Sequence, residues 1–478
     1  PLLETKLYVP RGRSDLVSRP RLVEWIHQGI ERKLTLVVAP AGFGKTTLLA
    51  EWLADTTAPD RPVGWVSLDP SENEPELFWA YVISALQKVH PGAGKHALSL
   101  LHSPQSPPAQ SVLTVLINEI NAVGADFILI LDDYHVIEAE PIHSALTFLL
   151  DRLPPRMHLV LVSRSDPPLP LARLRARGEL TELRAADLRF TLDEAAAFLG
   201  QVMALDLTAA DTAKLERRTE GWIAGLKLAA LSMKGRGDVR RFVDAFSGDN
   251  RYIADYLVEE VLQAQPERIR RFLLETAILD RLNGPLCDAV TGEEGSRVLL
   301  DDLERRNLFV VALDDRRAWY RYHHLFADVL HAHAIREDPA RVRALHRRAS
   351  AWYEHHGSTA DAVRHAVESD DVERAAGLLE RAWPEKDRSY QSARWLVRVK
   401  ALPDTLVRAR PVLTMGYAWA LLNAGEVEAA EARLRDVERW LDTAADAAAV
   451  PNARPDVPAN GMVVVDEARF RSLSAELA

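Results

Sequence analysis

The sequence predicts an α/β domain with a parallel sheet, followed by α-helical domains. Three observations predict this architecture. A glycine-rich loop joins a short apolar run to an amphipathic segment near residue 40, further apolar runs alternate with helical patterns up to about residue 189, and paired helical patterns fill the chain after residue 338. Alternating strands and helices are typical of a parallel sheet covered by helices, and recurring helix pairs are typical of a solenoid.

The first element is a strand, a glycine-rich loop and a helix in direct succession. Residues Leu34–Val38 are almost entirely apolar and predict a buried strand, and "AGFGKTT" then leads into a run with apolar residues at helical spacing. A loop that binds phosphates must direct backbone N–H groups inward, and Gly42 and Gly44 have the conformational freedom for this. The agreement between motif and context favours a P-loop over a glycine turn with a solvated lysine.

The residues of this loop have separate roles in the predicted phosphate site. We expect Lys45 to reach the β- and γ-phosphates of a bound nucleotide and Thr46 to hold Mg²⁺. Ala39 stands at the usual first glycine of the motif, where a small side chain still permits the turn. The expected ligands are therefore ATP or ADP with Mg²⁺. The predicted nucleotide-binding residues of the loop are Ala41, Gly42, Phe43, Gly44, Lys45, Thr46 and Thr47.

Two further apolar runs end in charged residues that complete the predicted site. Residues Phe127–Leu131 predict a second buried strand that delivers Asp132 and Asp133 to the same sheet edge. We expect Asp132 to bind Mg²⁺ together with Thr46, and Asp133 to orient or deprotonate the attacking water as a general base. A third run, "HLVLVSR", ends at Arg164, the candidate γ-phosphate sensor. The alternative interpretation is a surface arginine at a strand end.

Composition limits the classes of function. A chain of 478 residues has room for roughly three domains, and its net charge of −10 argues against nucleic-acid binding by this chain alone. The single cysteine, Cys287, excludes an internal disulfide and a cysteine-rich zinc site, as is typical of a reducing cytoplasm. No apolar run is long enough to span a bilayer and no export leader is visible, so we expect a cytoplasmic protein with no membrane partner. The start at Pro1 indicates a processed or shortened chain.

Changes in pattern divide the chain into predicted domains. Thr191, with Glu194 three residues later, predicts a capped helix where the strands end. A hairpin is predicted from Leu308–Leu313 and Trp319–Tyr322, and helices that precede a terminal hairpin predict a winged helix. Because no basic recognition helix stands out, we expect this winged helix to have a structural role. The predicted domains are a P-loop nucleotide-binding domain at 1–189, a helical domain at 190–245, a winged-helix domain at 246–337 and a TPR-like helical repeat region at 338–478.

The repeat region is predicted from two similar segments. The segments that begin at residues 347 and 412 each give a helix, a turn of small residues and a further helix. Their length resembles a tetratricopeptide-type repeat of roughly 34 residues. The segment from residue 446 onward predicts a loop and then one more helix.

Seven motifs, in family order, resemble those of MalT-type regulators, which are large ATP-binding transcription factors of the LuxR family within the STAND class of signal-transduction NTPases. The resemblance extends over residues 2 to about 335 and more loosely through the helical tail. The motifs are "LLETKLYVPRGRSDLVSRPRLVEWI", "APAGFGKTT", "VGWVSLDPSENEPELFWAYVISAL", "LDDYH", "VSR", "EGWIAGLKLAAL" and "YRYHHLFADVL".

The resemblance implies a nucleotide-dependent switch. It implies that the first three domains fold around ADP in a resting monomer, and that a small-molecule or protein inducer binds the repeat domain. ATP exchange would then open the chain and cause self-association. Family members also end in a helix-turn-helix domain, and no segment of this chain resembles one, so we expect DNA to be bound only through a domain missing from this chain.

The resemblance also implies which individual residues of this chain contact the nucleotide. His323 matches the winged-helix histidine that contacts the β-phosphate of ADP, although a second histidine replaces the acidic residue that follows it in the family. A partly buried polar residue at a strand end is the alternative interpretation of His323. Gly221 aligns with the family's glycine-x-proline element, but Ile223 stands where proline is usual. Val17 and Arg19 match the segment that cups adenine.

These observations together predict a weak ATPase whose slow hydrolysis resets a switch. A remodelling or motor ATPase of the P-loop class is the main alternative, with an arginine finger from Arg173–Arg177, although a solvated basic helix face explains that stretch as well. A kinase would need an acceptor pocket and a lid, and neither is visible. A scaffold without catalysis is disfavoured because the predicted phosphate and metal residues are all intact.

Overall fold

The computed structural model describes residues 2–10, 16–54, 61–103, 108–234, 239–248, 250–388, 392–448 and 462–477. The chain forms two compact units. Unit 1 comprises Pro1–Arg270 and Arg297–Ala332, and unit 2 comprises Arg271–Ser296 and His333–Ala478. The finer division into four domains stays a prediction.

The described part of unit 1 contains a parallel five-stranded sheet with the strand order β2-β3-β4-β1-β5. Its strands are β1 (Leu34–Val38), β2 (Val63–Ser67), β3 (Phe127–Asp132), β4 (Met157–Ser163) and β5 (Leu180–Arg184). Strands β1, β3 and β4 are buried along their whole length, which explains why their sequences are continuously apolar rather than alternating. The predicted α/β class is confirmed, and the strand predicted at Leu34–Val38 has those bounds.

Helices cover this sheet and continue beyond it in unit 1. The helices at Pro75–Val89, Ala109–Val123 and Glu140–Asp151 contribute buried apolar residues to one core with β1, β3 and β4. Short 3₁₀ turns occur at Glu4–Leu7, Pro70–Asn73 and Tyr134–Val136, and π-helical turns at Phe198–Val202 and Val258–Leu262. The helices are α1 (Pro20–Gly29), α2 (Lys45–Ala54), α3 (Pro75–Val89), α4 (Lys95–Leu101), α5 (Ala109–Val123), α6 (Glu140–Asp151), α7 (Leu171–Ala176), α8 (Ala185–Leu188), α9 (Leu192–Ala197), α10 (Ala209–Thr219), α11 (Ile223–Met233), α12 (Val239–Ala245) and α13 (Arg251–Leu257).

Two local predictions are confirmed in unit 1. The Thr191 hydroxyl accepts a hydrogen bond from the N–H of Glu194, and the Glu194 carboxylate accepts one from the N–H of Thr191, so the capping box starts α9. The predicted hairpin forms from β6 (Val310–Ala312) and β7 (Tyr320–Tyr322), which pair antiparallel. Its turn is closed by Asp314, whose carboxylate accepts hydrogen bonds from three backbone N–H groups.

The remaining helices include the helix pairs predicted for the repeat region. In unit 2 the chain reverses at Gly357, after the helix Pro339–His355, and at Gly425, after the helix Pro411–Asn423. Both glycines have positive φ, as a tight turn of this kind requires. The final helix is confirmed, whereas the predicted loop before it lies mostly at residues 449–461, outside the described residues. These helices are α14 (Glu267–Thr276), α15 (Gly284–Thr291), α16 (Ser296–Arg305), α17 (His324–Glu337), α18 (Pro339–His355), α19 (Thr359–Glu368), α20 (Val372–Arg388), α21 (Ser392–Lys400), α22 (Asp404–Arg408), α23 (Pro411–Asn423), α24 (Val427–Ala448) and α25 (Glu467–Leu477).

Candidate nucleotide-binding site

The glycine-rich loop lies between the carboxyl end of β1 and the start of α2. Gly42 and Gly44 both have φ of 76°, a conformation that side chains other than glycine rarely adopt. A Cβ on Gly42 would also lie 2.6 Å from the Cβ of Ala224, so this position has no room for a side chain. The loop therefore has the glycine-dependent backbone that a phosphate cradle needs.

Lys45 is a buried cation at this loop, with 8% of its surface exposed. Its ammonium donates hydrogen bonds to the carbonyl oxygens of Ala39 and Pro40, at 2.9 and 3.0 Å. Burial lowers the pKa of Lys45 to about 8, although the negative charge of Asp133 acts to raise it. Because its hydrogen-bond partners in the described structure are carbonyl oxygens, the ammonium fits an anionic ligand.

Thr46 and Asp132, the two predicted metal ligands, lie together. The Thr46 hydroxyl donates to Oδ2 of Asp132 at 2.9 Å, and the N–H of Asp133 donates to Oδ1 of Asp132 at 3.0 Å. Burial and the neighbouring Asp133 carboxylate raise the pKa of Asp132 to about 6. A hydroxyl beside a buried carboxylate that lacks a contacting cation among the described residues fits Mg²⁺, which prefers oxygen ligands.

Asp133 and Arg164 lie close enough to Lys45 for their charges to act on its pKa. Asp133 adopts a left-handed backbone with φ of 58°, and its partly exposed carboxylate lies 3.7 Å from Nδ1 of His135. The guanidinium of Arg164 lies 3.9 Å from the carboxylate of Glu260. His135 was not singled out by sequence, although burial and the charges of Arg164 and Lys45 lower its pKa to about 4.

A cavity of about 270 Å³ adjoins the loop. Val17 and Arg19, predicted to cup adenine, both lie in its wall, as do Gly42, Gly44 and Thr47. The sequence did not predict the rest of the wall, part of which comes from neighbours of the predicted residues and part from distant segments. These further residues are Leu16, Leu48, Glu51, Phe190, Phe198, Val202, Met203, Ile223, Ala224 and Lys227.

Arg19 holds the wall of the cavity together. Its guanidinium lies 4.5 Å from the ring centre of Phe190 and donates to the carbonyl oxygens of Leu188 and Arg189. Its backbone N–H donates to the carboxylate of Glu51 on α2 at 2.7 Å. The Arg19 side chain is therefore committed to protein contacts, and these contacts position the Val17–Arg19 segment.

Gly221 lies beside the cavity wall rather than in it. Its carbonyl oxygen accepts a hydrogen bond from the N–H of Phe190 at 2.8 Å, and a Cβ at Gly221 would lie 2.6 Å from the carbonyl oxygen of Phe190. The residues that follow it make the contact with the loop. The indole N–H of Trp222 donates to the carbonyl of Ala41 at 3.0 Å, and the N–H of Ala224 donates to the carbonyl of Gly42 at 3.1 Å.

His323 is buried, with 3% of its surface exposed, beside aromatic residues that reach the loop. Its Nε2 donates to the carbonyl oxygen of Thr219 at 2.9 Å, and its Nδ1 has no hydrogen-bond partner among the described residues. The ring packs on Trp222 and Phe309, and Phe309 packs on Phe43 of the loop. Burial lowers the pKa of His323 to about 4, so the imidazole is neutral and its Nδ1 carries a free lone pair.

The stretch considered for an arginine finger is largely engaged in ion pairs. Arg175 pairs with Glu182 through two hydrogen bonds of 2.7 and 2.9 Å, and Arg173 pairs with Asp151. These pairs agree with a basic helix face whose charges are compensated on the surface.

Comparisons with known proteins give a consistent family relationship. Residues 258–342 match the family model described as "MalT winged helix domain". "HTH-type transcriptional regulator MalT" of Serratia proteamaculans is 33% identical over 93% of this chain, and "Serine/threonine-protein kinase PknK" of Mycobacterium tuberculosis is 35% identical over 86%. This chain covers 50% of the first relative and 37% of the second. The resemblance to MalT-type regulators is confirmed.

One solved structure has a weaker similarity. It comes from Pyrococcus horikoshii and is described as a "Signal Transduction ATPase with Numerous Domains (STAND) protein with a tetratricopeptide repeat sensor". It is 17% identical, covers 92% of this chain and 61% of that chain, and has a TM-score of 0.34. Among the described residues, no helix is both long and apolar enough to cross a membrane.

Proposed function

Because this chain is a relative of MalT-type regulators over most of its length, we propose that it is the ATP/ADP-dependent switch of a bacterial transcriptional regulator. At rest it is a monomer that holds ADP. ATP together with an inducer at the helical repeats opens it and drives self-association, and slow hydrolysis by this weak ATPase resets it. DNA is contacted through a helix-turn-helix domain outside this chain.

One observation carries the proposal. The phosphate loop is packed by residues from two distant segments, Trp222 at the start of α11 and Phe309 before the hairpin, and Phe309 also packs on His323. A ligand at the loop therefore borders contacts that depend on how these segments are arranged. Such a ligand shifts the arrangement by as much as its affinity differs between the two states.

The residues present fit the nucleotide and its metal. The loop N–H groups and Lys45 would hold the phosphates, Thr46 and Asp132 would hold Mg²⁺, and the cavity beside Val17 would hold the base. The metal would supply positive charge against the phosphates. Asp133 would accept the proton of the attacking water, and Arg164 would stabilise the charge of the γ-phosphate.

The buried imidazole of His323 supports a role in sensing the diphosphate. Its free Nδ1 lone pair needs a donor, so a phosphate contact there requires a second proton on the ring. The anionic diphosphate would favour that proton because an opposite charge stabilises the imidazolium. We therefore expect ADP binding to be accompanied by protonation of His323.

The test is the nucleotide content and size of the purified chain. The chain is denatured, the released nucleotide is identified by chromatography, and the mass in solution is measured in ADP and in ATP. Bound ADP and a monomer that assembles in ATP support the switch. An empty protein with rapid ATP turnover and unchanged mass would overturn it in favour of a remodelling ATPase.

Two variants refine this test. Asp133→Asn should bind ATP without hydrolysing it and should stay assembled, because the water loses its base. His323→Ala should release ADP faster and assemble at lower ATP concentration. Normal ATP turnover by the first variant would remove the proposed role of Asp133, and an unchanged ADP release rate in the second would leave His323 as a packing residue.

A further inference from the structure

Glu220 is a buried carboxylate that the sequence did not mark as functional. It ends α10 in a left-handed conformation with φ of 50°, which is uncommon outside glycine, and only 6% of its side chain is exposed. Burial of a carboxylate is costly unless cations and hydrogen-bond donors compensate it. The partners of Glu220 therefore indicate which contacts its left-handed conformation makes possible.

Those partners come from two other segments of unit 1. Arg321 of the hairpin binds the carboxylate through both oxygens, at 2.7 and 2.9 Å. His324 approaches Oε1 with its backbone N–H at 3.1 Å and with Nδ1 at 3.0 Å, and Arg189 lies 3.3 Å from Oε2. Although burial opposes ionisation, the hydrogen bonds from Arg321 and from the backbone N–H of His324, together with the charge of Arg321, lower the pKa of Glu220 to about 2.

The same turn also contacts His323 and the phosphate loop. The carbonyl of Thr219 accepts the hydrogen bond from His323, which lies in sequence between Arg321 and His324, the two partners of Glu220. Two residues after Glu220, Trp222 donates to the carbonyl of Ala41. The turn at residues 219–222 therefore joins the segment that carries His323 to the loop that would carry the phosphates.

We propose that Glu220 is a positioning residue of the nucleotide switch: its carboxylate, through Arg321 and His324, holds His323 against the phosphate loop in the ADP-bound state. The proposal rests on the proposed function, because it assigns Glu220 a role only if nucleotide exchange changes the packing of these segments.

The chemistry of the contact suits a reversible connection. A buried ion pair contributes little net stability compared with an apolar contact, but it strongly favours one arrangement over others. When the segments separate, water can solvate both Glu220 and Arg321, so this ion pair can break and form again. Glu220→Gln keeps the shape but leaves Arg321, Arg189 and His324 without the carboxylate charge.

The experiment compares variants of the ion pair on the full chain. Glu220→Gln and Arg321→Gln each remove the ion pair, and the double variant removes both charges. Glu216→Gln is the matched control, since Glu216 lies one turn earlier in α10 and its carboxylate has no partner among the described residues. The readouts are the release rate of a fluorescent ADP analogue, the ATP concentration at which the chain assembles, and the thermal unfolding midpoint.

We expect each single variant to release the ADP analogue roughly tenfold faster and to assemble at lower ATP, within the usual range of coupling between sites. The double variant should be no faster than the singles, because both changes break one contact. Arg321→Lys, which keeps the charge but loses the two-point contact, should fall between wild type and Arg321→Gln. The control should behave as wild type.

The outcomes separate this proposal from the proposed function. Lower unfolding midpoints with unchanged ADP release and an unchanged ATP threshold would make Glu220 a merely structural residue and overturn the positioning role. The same conclusion follows if Arg321→Lys folds and matches wild type while Glu220→Gln does not fold. A wild-type chain that neither retains ADP nor changes mass in ATP would instead overturn the switch itself.

Discussion

Two buried cations, Lys45 in unit 1 and Arg410 in unit 2, are compensated in opposite ways. Arg410 is 5% exposed and pairs with the carboxylates of Glu373 and Glu380, at 2.5 and 3.3 Å. Lys45 is about as buried, but carbonyl oxygens are its hydrogen-bond partners in the described structure. A buried cation that the fold itself neutralises holds helices together, whereas one that it leaves with carbonyls can bind an anionic ligand.

Buried carboxylates show the same contrast within unit 1. Glu220 is surrounded by cations and donors, and its pKa lies at about 2. Asp132 has the Thr46 hydroxyl and a backbone N–H as partners, and burial beside Asp133 raises its pKa to about 6. The two opposite pKa shifts therefore reflect the cations and donors that surround Glu220 and the burial of Asp132 beside a second carboxylate.

The strongest test of the comparison is Lys45→Met. The variant should lose nucleotide affinity by roughly a thousandfold, about 4 kcal/mol, because the phosphates lose their buried cation. Its thermal unfolding midpoint should stay the same or rise, because the cost of burying an ammonium disappears. Titration with a fluorescent ADP analogue and thermal unfolding measure the two effects. Lys95→Met, at an exposed lysine on α4, is the control, and ADP content equal to wild type would contradict the P-loop assignment.

Arg410→Met should lower stability and leave ADP affinity unchanged, the reverse of what we expect for Lys45→Met. Loss of the cation leaves Glu380 buried without its partner, which should destabilise unit 2 by about 3 kcal/mol, while ADP affinity stays unchanged. Amide hydrogen exchange in α20 and α23 reports the stability change. Adding Glu380→Gln should recover part of the loss. Unchanged exchange rates in Arg410→Met would mean that this ion pair is not structural.

The contributions of Asp132 and Glu220 to the stability of the fold should change with pH in opposite directions. The folded-state pKa of Asp132 lies above its ordinary value of 3.8, so its contribution to stability is full below about pH 4 and is lost as the pH rises through about 6. Asp132→Asn should therefore stabilise the ligand-free chain at pH 7.5 by about 2–3 kcal/mol. The stabilising contribution of Glu220 is present above its ordinary pKa and disappears only as the pH falls toward 2.

Magnesium provides the control for that pH prediction. Protonation of Asp132 removes a metal ligand, so the Mg²⁺-dependent part of ADP affinity should weaken as the pH falls below about 6. In Asp132→Asn, affinity should be independent of Mg²⁺ at both pH 5.5 and pH 7.5. Equal Mg²⁺ dependence in the variant and wild type at pH 7.5 would exclude Asp132 as the metal ligand.

Glu51→Gln should have the smallest effect. Glu51 lines the cavity, and its carboxylate also accepts a hydrogen bond from the backbone N–H of Arg19 at 2.7 Å. The amide keeps an acceptor but loses the charge that strengthens this hydrogen bond, at a cost of about 1 kcal/mol. ADP affinity should fall about fivefold by titration. Unchanged affinity would show that the Val17–Arg19 segment is positioned without Glu51.

The parts of the site that were predictable from sequence depend on local chemistry. The strand at Leu34–Val38 and the left-handed turns at Gly42 and Gly44 follow from residue type and spacing within about ten residues. The hairpin was located in the same way, from β-forming runs on either side of a turn that Asp314 closes. Roles for Asp133, Arg164 and His323 remain predictions, although the structure places all three near the loop or its aromatic neighbours.

Residues that act through distant partners escaped prediction. Gly221, which aligns with the family's glycine-x-proline element, packs on the backbone of Phe190, while Ile223 and Ala224 line the cavity. Trp222 lies in the family motif "EGWIAGLKLAAL", but the sequence assigned it no contact. Its hydrogen bond to Ala41 spans 181 residues of sequence, and no local signal encodes such a pairing.

The sequence by itself determined which backbone turns, buried strands and helix pairs this chain forms, because dihedral preferences and apolar periodicity act between near neighbours. Only the tertiary structure decided which buried charges are neutralised by the protein and which are left for a ligand. Glu220 and Arg321 are 101 residues apart, and Glu380 and Arg410 are 30 apart. Whether such groups meet depends on how distant segments pack. This packing pairs Arg410 with two carboxylates, whereas it leaves Lys45 with carbonyl oxygens as hydrogen-bond partners.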